Sequence, residues 1–378
     1  MSSTNLGCLA THVIAGSSEF IFPLQDKHVH SSSIVECPNG DLLVCWFYGS
    51  GEREASDVRI RGARLKPDGA IWSPVFEMAD TPNLPDCNPV LFIDPSEKLW
   101  LFWITVQAQR WGNSILRVRT STNYQQDGPP DWNWQDIILL QPGEEFAQAL
   151  LDGLNALNPT SPLWSDYAPK YINLIAEAAH DAGKRQTGWM TRTHPRVLSC
   201  GRFLLPLYSD GFNISLVALS DDRGTTWQAS KPIVGLGNVQ PSLVQRKNGD
   251  IVAFMRDNGG SPQRIQISVS SDKGETWSLA QDIAIPNPGT SVEVIALKSG
   301  AWLLVGNDTT EGRHQLAVYL SLDEGSTWQL KEYLEKAAPE EGEYSYPSVL
   351  QADNGSIHVT YSYHAKDKET IKHVTFKE

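Results

Sequence analysis

Three copies of one eight-residue pattern lie in the second half of the chain. The segments 220–227, 270–277 and 321–328 all read S-x-D-x-G-x-T-W, and their tryptophans are 50 and 51 positions apart. A period of about 50 residues is typical of one four-stranded blade of a β-propeller. The Asp can accept hydrogen bonds from amides of its own turn, the Gly supplies a positive φ, and the Trp can pack back on an apolar surface. We therefore interpret the pattern as a structural hairpin turn, which we call the Asp-box.

A second repeat predicts the number of blades. Each intact Asp-box follows an apolar strand, at 214–219, 265–269 and 316–320. Short turns that lead directly into a strand recur six times, at 39–43, 96–100, 200–204, 248–252, 299–303 and 354–358. Segments 66–72 and 120–134 resemble decayed Asp-boxes. The chain is therefore predicted to be all-β, one six-bladed propeller domain over residues 1–378.

One stretch departs from strand periodicity. Between about 143 and 185, the segments 146–151 and 171–176 carry apolar residues at helical spacing. We expect a small helical insert between blades two and three that caps one face of the propeller.

Charge and composition exclude several kinds of partner. The formal net charge is −13 and the chain has no run of Lys or Arg, which argues against nucleic acid and anionic membranes. No apolar run approaches the ~20 residues of a membrane span, and residues 1–21 lack the pattern of a secretory leader. Five scattered cysteines favour reduced thiols. These features predict a cytoplasmic protein; oligomeric state is left open.

The Asp-boxes and the residues around them resemble the sialidase (exo-α-neuraminidase) superfamily, and most closely its BNR repeat-like branch. The resemblance covers His28 to Lys377. It implies a ligand on the propeller axis, an arginine triad that holds the substrate carboxylate, an Asp as general acid, and a Tyr nucleophile activated by a Glu. A neutral nucleophile suits an anionic sugar because it avoids repulsion from the carboxylate.

The resemblance assigns the acid and two arginines. Asp57 lies where the superfamily keeps its proton donor, and Glu52 in the same charged loop competes for that role. Arg256 and Arg313 match the second and third triad arginines. Two guanidinium groups that converge on one point would clamp a carboxylate.

The nucleophile is assigned in the same way, to Tyr344 at the start of the last blade. Tyr344 precedes Ser345, as in the family's Tyr-Ser, and lies 31 residues beyond Arg313. Its neighbour Tyr346 is the alternative.

Two positions depart from the family. His30 stands where the first triad arginine is expected, and Gln240 stands where the Glu that activates the Tyr is expected. An amide cannot take a proton from a phenol. Glu293 from the fifth blade could replace the missing base, or His30 or His194 could carry out the acid–base chemistry, because histidine titrates near neutral pH.

Two further groups of residues are candidates for binding. In segment 188–196, Trp189 could stack on a sugar ring, Arg192 could complete the anion clamp and His194 could be a base; alternatively, the segment anchors the helical insert. Four residues precede Pro at blade entrances and are expected to point inward: Asn88, Gln240, Asn287 and Tyr346.

These residues predict a glycosidase that acts on an acidic or polyhydroxylated terminal sugar. Two alternatives remain open: a uronate lyase that uses His30 and Tyr344, and a sugar-binding propeller without catalysis. No cofactor is required, and no metal is expected, because His28 and His30 on one strand are a weak ligand pair.

Overall fold

The strands of the chain form six four-stranded antiparallel sheets, which are the six blades of a propeller. The computed structural model describes residues 16–159, 163 and 167–378. In five blades the strands follow each other in chain order, so that each blade is a meander from the axis outward. The predicted six-bladed architecture is confirmed.

The first three blades contain the longest buried strands. Blade one consists of β2 (His28–Glu36), β3 (Leu42–Gly49), β4 (Arg59–Leu65) and β5 (Phe76–Ala79). Blade two consists of β6 (Asp86–Ile93), β7 (Leu99–Val106), β8 (Ser114–Ser121) and β9 (Trp134–Ile137). Blade three consists of β10 (Arg196–Val197), β11 (Phe203–Ser209), β12 (Ile214–Ser220) and β13 (Gln228–Ala229). Strands β7 and β11 are apolar and buried along their whole length, as expected for strands covered on both faces by neighbouring blades.

The last three blades complete the ring. Blade four consists of β14 (Asn238–Gln245), β15 (Ile251–Asp257), β16 (Arg264–Ser270) and β17 (Gln281–Pro286). Blade five consists of β18 (Glu293–Ala296), β19 (Trp302–Gly306), β20 (Gln315–Ser321) and β21 (Gln329–Lys336). Blade six consists of β22 (Glu343–Gln351), β23 (Ile357–Ala365), β24 (Lys368–Phe376) and the N-terminal strand β1 (Ser17–Phe20). Because β1 pairs with β24, both ends of the described chain lie in one sheet and the ring is closed.

The Asp-boxes form the turns between the third and fourth strands of blades three, four and five. In the first box, Asp222 accepts hydrogen bonds from the backbone and side chain of Thr226, and these bonds lower the pKa of Asp222 to about 2. Gly224 has a φ of 82°, and a Cβ placed on it would lie 2.5 Å from the Trp100 ring of blade two. The box therefore holds its own turn and also packs on the neighbouring blade.

The helices lie between β9 and β10, as predicted. They are α1 (Glu144–Leu157), α2 (Ile172–His180) and the short α3 (Ala182–Gln186). Helix α1 buries Phe146, Leu150 and Leu154, which are spaced for one helical face. Among the described residues, no helix is long and apolar enough to cross a membrane. Cys37, Cys45, Cys87 and Cys200 are free thiols, and Cys8 lies outside the described residues.

Candidate active site on the propeller axis

Four innermost strands carry a bulge at the same level. Ser31 in β2, Asn88 in β6, Gln240 in β14 and Tyr346 in β22 have positive φ angles of 49–60°, and the strand pairing shifts register at each of them. A bulge breaks the alternation of side chains along a strand and re-aims one of them. Three of the four bulged residues precede a proline, whose missing N–H costs little where the ladder is already interrupted.

Three of the four bulged side chains, those of Asn88, Gln240 and Tyr346, join one hydrogen-bonded network on the axis. The Oη of Tyr346 accepts hydrogen bonds from Nη1 of Arg256 at 3.0 Å and from Nε2 of Gln240 at 3.2 Å. Nε2 of Gln240 also lies 3.3 Å from the Tyr208 hydroxyl, which accepts a 3.0 Å bond from Asn88. Residues from blades two, three, four and six therefore converge on Tyr346.

Positive groups surround the ring of Tyr346. The guanidinium carbons of Arg192 and Arg313 lie 4.9 and 5.6 Å from its centroid, and the His30 ring lies 4.1 Å away. Burial, together with nearby positive groups that include Arg313, holds the pKa of His30 well below its usual range. His30 is therefore neutral and does not supply the charge of the first triad arginine.

Arg256 and Arg313 are placed to bind an anion. Burial opposes the charge of Arg256, but the neighbouring Tyr346 and Asp210 raise its pKa, so the guanidinium stays charged. Its Nη2 bonds Asn258 at 3.2 Å, whereas its buried Nε has no hydrogen-bond partner. Among the described residues, the Arg313 guanidinium makes one side-chain hydrogen bond, a long 3.5 Å contact from Nη1 to Ser345. Each Nη of Arg256 carries a second N–H, and Arg313 keeps most of its donors, so both groups can bind a ligand.

Tyr344, the first choice for the nucleophile, lies away from the network around Tyr346. Its ring is 6% exposed and packs against Tyr363 at 5.1 Å, inside the core between blades five and six. Burial and the neighbouring Tyr363 raise the pKa of Tyr344 to about 12. The alternative, Tyr346, is the tyrosine on the axis.

Arg192 does not complete the clamp in the way the sequence suggested. It is 2% exposed and donates to the carbonyls of Ser32 and Pro347, at 3.3 and 2.7 Å. Arg192 therefore ties blade one to blade six and supports the Tyr346 ring.

Trp189 is not available to a sugar. It is 3% exposed, packs against Phe146 and Phe212, and donates from Nε1 to the carbonyl of Arg185. This part of segment 188–196 anchors the helical insert, as the alternative interpretation held.

Glu293 and His194 pair with each other instead of serving Tyr344 or Tyr346. Nδ1 of His194 lies 2.7 Å from Oε1 of Glu293, and Oε2 accepts the backbone N–H of Val349 at 2.7 Å. Burial opposes the charge of Glu293, but His194 and the other partners lower its pKa. The pair lines a separate cavity of about 410 Å³ toward the far ends of the inner strands. Neither residue is placed to act as base for the axial tyrosine.

The two candidate acids are ionised in the free chain. Asp57 accepts hydrogen bonds from the side chain and backbone of Ser50 and pairs with Lys27 at 2.9 Å, which holds its pKa well below its usual range. Burial raises the pKa of Glu52, but His28 at 3.4 Å outweighs that effect and lowers it. A proton donor needs the opposite surroundings, so neither carboxyl is set up for that role in this state.

The remaining pre-proline residue differs from the others. Asn287 lies in the loop before β18, where its Oδ1 accepts the N–H groups of Gly289 and Thr290. Its side chain closes a turn in its own loop, and no hydrogen bond joins it to the network around Tyr346 among the described residues.

The sequence analysis missed Tyr208, which lies inside the apolar strand β11. Its hydroxyl links Gln240 to Asn88, and burial raises its pKa well above the ordinary value, so the phenol stays protonated. The only signal in the sequence was a tyrosine near the end of a buried strand, which is usually a packing residue.

Comparisons with known proteins agree with this architecture. A family model described as "BNR repeat-like domain" matches residues 40–151 and 184–359, which leaves out most of the helical insert. A sialidase from Paraclostridium sordellii is 30% identical over 130 residues, which cover 29% of this chain and 31% of that protein. An anhydrosialidase from the leech Macrobdella decora is 25% identical over 183 residues, or 43% of this chain and 23% of that protein. The aligned stretches thus span a third or less of these relatives.

Solved structures resemble nearly the whole chain at low identity. A protein of unknown function from Dyadobacter fermentans has a TM-score of 0.68 at 16% identity, and covers 96% of this chain and 98% of its own. The NanB sialidase from Streptococcus pneumoniae has a TM-score of 0.69 at 14% identity, with 95% and 70% covered. At this identity the likeness shows the fold.

Proposed function

Because this chain belongs to the family of BNR repeat-like domains, within the sialidase superfamily, we propose that it is an exo-acting glycoside hydrolase. Its substrate is a terminal acidic sugar, and Tyr346 is the nucleophile. One observation carries the proposal: the Tyr346 hydroxyl lies on the axis and accepts hydrogen bonds from Arg256 and Gln240.

The electrostatics around Tyr346 suit attack by its oxygen. A charged guanidinium that donates to an oxygen stabilises the negative charge that develops there. Gln240 replaces the family's Glu and cannot accept the phenolic proton. The hydrogen bonds from Arg256 and Gln240 therefore stabilise the negative charge that develops on the Tyr346 oxygen during attack, and the phenolic proton passes to water.

The acidity of the sugar follows from local charge. The chain carries a formal charge of −13, yet Arg256 and Arg313 flank the same tyrosine from blades four and five. Guanidinium groups with unused donors bind carboxylates more strongly than they bind hydroxyl groups. The ring held between them is expected to present its carboxylate to both.

The reaction has two steps. Oη of Tyr346 forms a bond to the anomeric carbon while the glycosidic C–O bond breaks, and the leaving oxygen takes up a proton. Water then attacks the same carbon, loses its proton, and releases Tyr346. Asp57 and Glu52 lie in the loop between β3 and β4. When substrate displaces Lys27 from Asp57, or His28 from Glu52, the freed carboxylate takes up the proton that the leaving oxygen needs.

Turnover tests the proposal directly. We expect the chain to release aglycone from aryl glycosides of acidic sugars, with Tyr346→Phe slower by roughly a thousand-fold or more. Tyr344→Phe, the matched substitution two residues away, is expected to retain activity. Unsaturated product with new ultraviolet absorbance would indicate a lyase instead. Binding without turnover in the wild type would indicate a non-catalytic propeller, and either result overturns the proposal.

Substrates with different leaving groups identify the acid. A variant that lacks the proton donor should lose activity on poor leaving groups and keep it on acidic phenols, because these leave without protonation. Asp57→Asn and Glu52→Gln are compared in this way, and the variant with the larger dependence on the leaving group identifies the donor.

A further inference from the structure

Two histidines and a glutamate from opposite ends of the chain meet beside the axis. His28 begins β2 in blade one, His364 lies near the end of β23, and Glu369 lies near the start of β24 in blade six. Oε2 of Glu369 is 3.0 Å from Nδ1 of His28 and 3.0 Å from Nε2 of His364. One ligating atom from each residue lies within 4.8 Å of the other two.

The two measured separations are close to those between the ligand atoms of a bound metal. Zinc binds His nitrogen and carboxylate oxygen at about 2.0–2.2 Å, so tetrahedral ligand atoms lie roughly 3.3 Å apart. The Glu369 carboxylate is also held by the backbone N–H of Val29 at 2.6 Å. Such an outer hydrogen bond orients a ligating carboxylate.

A second observation points to the same place. His30 is 5% exposed, and its buried Nδ1 has no hydrogen-bond partner in the part of the chain that the structure describes. Its ring centroid lies 5.6 Å from that of His28 and 6.1 Å from that of His364. A buried, unpaired imidazole nitrogen is costly unless something else satisfies it.

The cluster opens on a large cavity. His364, Glu369 and Arg313 line a space of about 1070 Å³ between the loops 308–315, 339–343 and 364–369. Seven Asp and Glu residues and only three Lys and Arg residues line this cavity, which favours a cation there. A site with three protein ligands and one open side has the form of a catalytic or ligand-binding zinc centre, whereas structural sites are closed.

We propose that His28, His364 and Glu369 bind one divalent transition metal of the zinc class, with an open coordination position toward this cavity. Imidazole together with carboxylate suits zinc, cobalt or iron better than calcium or magnesium. The metal joins blade one to blade six. The proposal does not depend on the glycosidase activity, because His364 and Glu369 have no role in that reaction and His28 enters it only as the partner of Glu52.

Cobalt spectroscopy and zinc titration test the site. The chain is stripped with a chelator, dialysed, and titrated with Co²⁺ and, separately, with Zn²⁺ by calorimetry. We expect one equivalent to bind, with the strong visible bands of four- or five-coordinate cobalt. His364→Gln and Glu369→Gln should each weaken Zn²⁺ binding by roughly a hundred-fold or more.

A second His–Glu pair supplies the matched control. His180 and Glu144 lie 2.9 Å apart on the exposed surface of the helical insert. His180→Gln and Glu144→Gln are expected to leave binding unchanged. Thermal unfolding of the stripped proteins separates lost binding from lost folding, because metal should raise the Tm of the wild type and not that of His364→Gln.

Three results would overturn the proposal. They are a wild-type spectrum with only the weak bands of hydrated cobalt, undiminished binding in His364→Gln and Glu369→Gln, or equal loss in the control variants. The first result depends on no variant, so it decides the question even if a substitution impairs folding. None of them bears on the role of Tyr346.

Discussion

Tyr346 has a φ of 57° inside a strand, a conformation that a bulky residue rarely adopts. The left-handed region costs about 1–2 kcal/mol for a residue with a Cβ. Contacts on several sides hold the conformation: Arg256 and Gln240 bind the hydroxyl, and Arg192 binds the carbonyl of the following Pro347. Strain that the surroundings maintain in this way is common at functional sites.

The charge of Arg256 gives a prediction about ligand binding. Arg256→Gln should weaken the binding of an acidic monosaccharide by about ten- to a hundred-fold, because a charged hydrogen bond contributes about 1.5–3 kcal/mol. Binding of the neutral methyl ester should change little. Calorimetry on both ligands measures the difference. Arg264→Gln is the control, because its guanidinium bonds the carbonyl of Ala284 at an exposed site. Equal weakening of acid and ester would contradict the anion clamp.

The site could be predicted only in part, and the bulges explain why. In a regular strand Tyr344 and Tyr346 point to the same face, and the resemblance favoured Tyr344. The bulge after Ser345 separates them, so that one lies in the core and the other on the axis. Arg256, Gln240 and Asn88, which the sequence analysis singled out, lie in the hydrogen-bonded network around Tyr346. Arg192 could bind an anion and Trp189 could stack on a sugar, but in the structure both side chains are buried and bond backbone carbonyls instead.

At the scale of the element, the Asp-box is a turn whose glycine packs closely against a side chain of another strand. In two of the three boxes the glycine at the tip approaches a ring closely, Gly224 against Trp100 and Gly325 against Trp302, whereas Gly274 faces leucines. The sequence was sufficient to predict these turns, because their hydrogen bonds are local. It did not show which neighbouring residue each turn contacts.

This close approach predicts a difference between two glycines of similar backbone conformation. Gly224→Ala should cost about 1–3 kcal/mol more than Gly201→Ala, the usual range for overpacking. Both residues have φ angles above 80°, but a Cβ on Gly201 would meet nothing within 4 Å. Urea unfolding of the two variants measures the difference. Equal destabilisation would show that Trp100 moves aside freely.

The closing sheet of blade six gives a prediction about pH. Burial and His373 lower the pKa of His358 to about 4, whereas an unfolded histidine titrates near 6.5. Between these values the unfolded chain binds the proton and the folded chain does not, so His358 destabilises the fold as the pH falls from 6.5 to 4.

His358→Gln removes this pH-dependent contribution to the free energy of unfolding. We expect the free energy of unfolding of this variant to fall less steeply than that of the wild type from pH 6.5 to pH 4. Denaturant unfolding at a series of pH values measures both slopes. Parallel curves would mean that His358 does not remain neutral in the folded chain.

At the scale of the whole molecule, neighbouring blades are linked by hydrogen bonds around the axis. Two residues after the bulges, Ser33 accepts the N–H of Leu91, Ser242 that of Val294, and Ser348 that of Ile34. The six-fold repeat could be read from turns alone. These contacts between blades could not, because they join residues about 50 to 300 positions apart.

The seam, where blade six meets blade one, closes the ring of blades. Oε1 of Glu19 accepts hydrogen bonds from Trp72 in blade one and from His373 in blade six. Glu19→Ala should cost about 1–3 kcal/mol, because buried donors lose their acceptor. Glu77→Ala removes an exposed pair with Arg59 and should cost at most about 1 kcal/mol. Equal Tm values for Glu19→Ala and the wild type would contradict this role at the seam.

The central claim is that a sugar is attacked by the tyrosine on the axis. A fluorinated acidic glycosyl fluoride slows the second step and leaves the sugar on the nucleophile, where peptide mass spectrometry can locate it. We predict one adduct per chain, on Tyr346, absent from Tyr346→Phe and present in Tyr344→Phe. An adduct on Tyr344, or none in a protein that turns over the parent glycoside, would contradict the account.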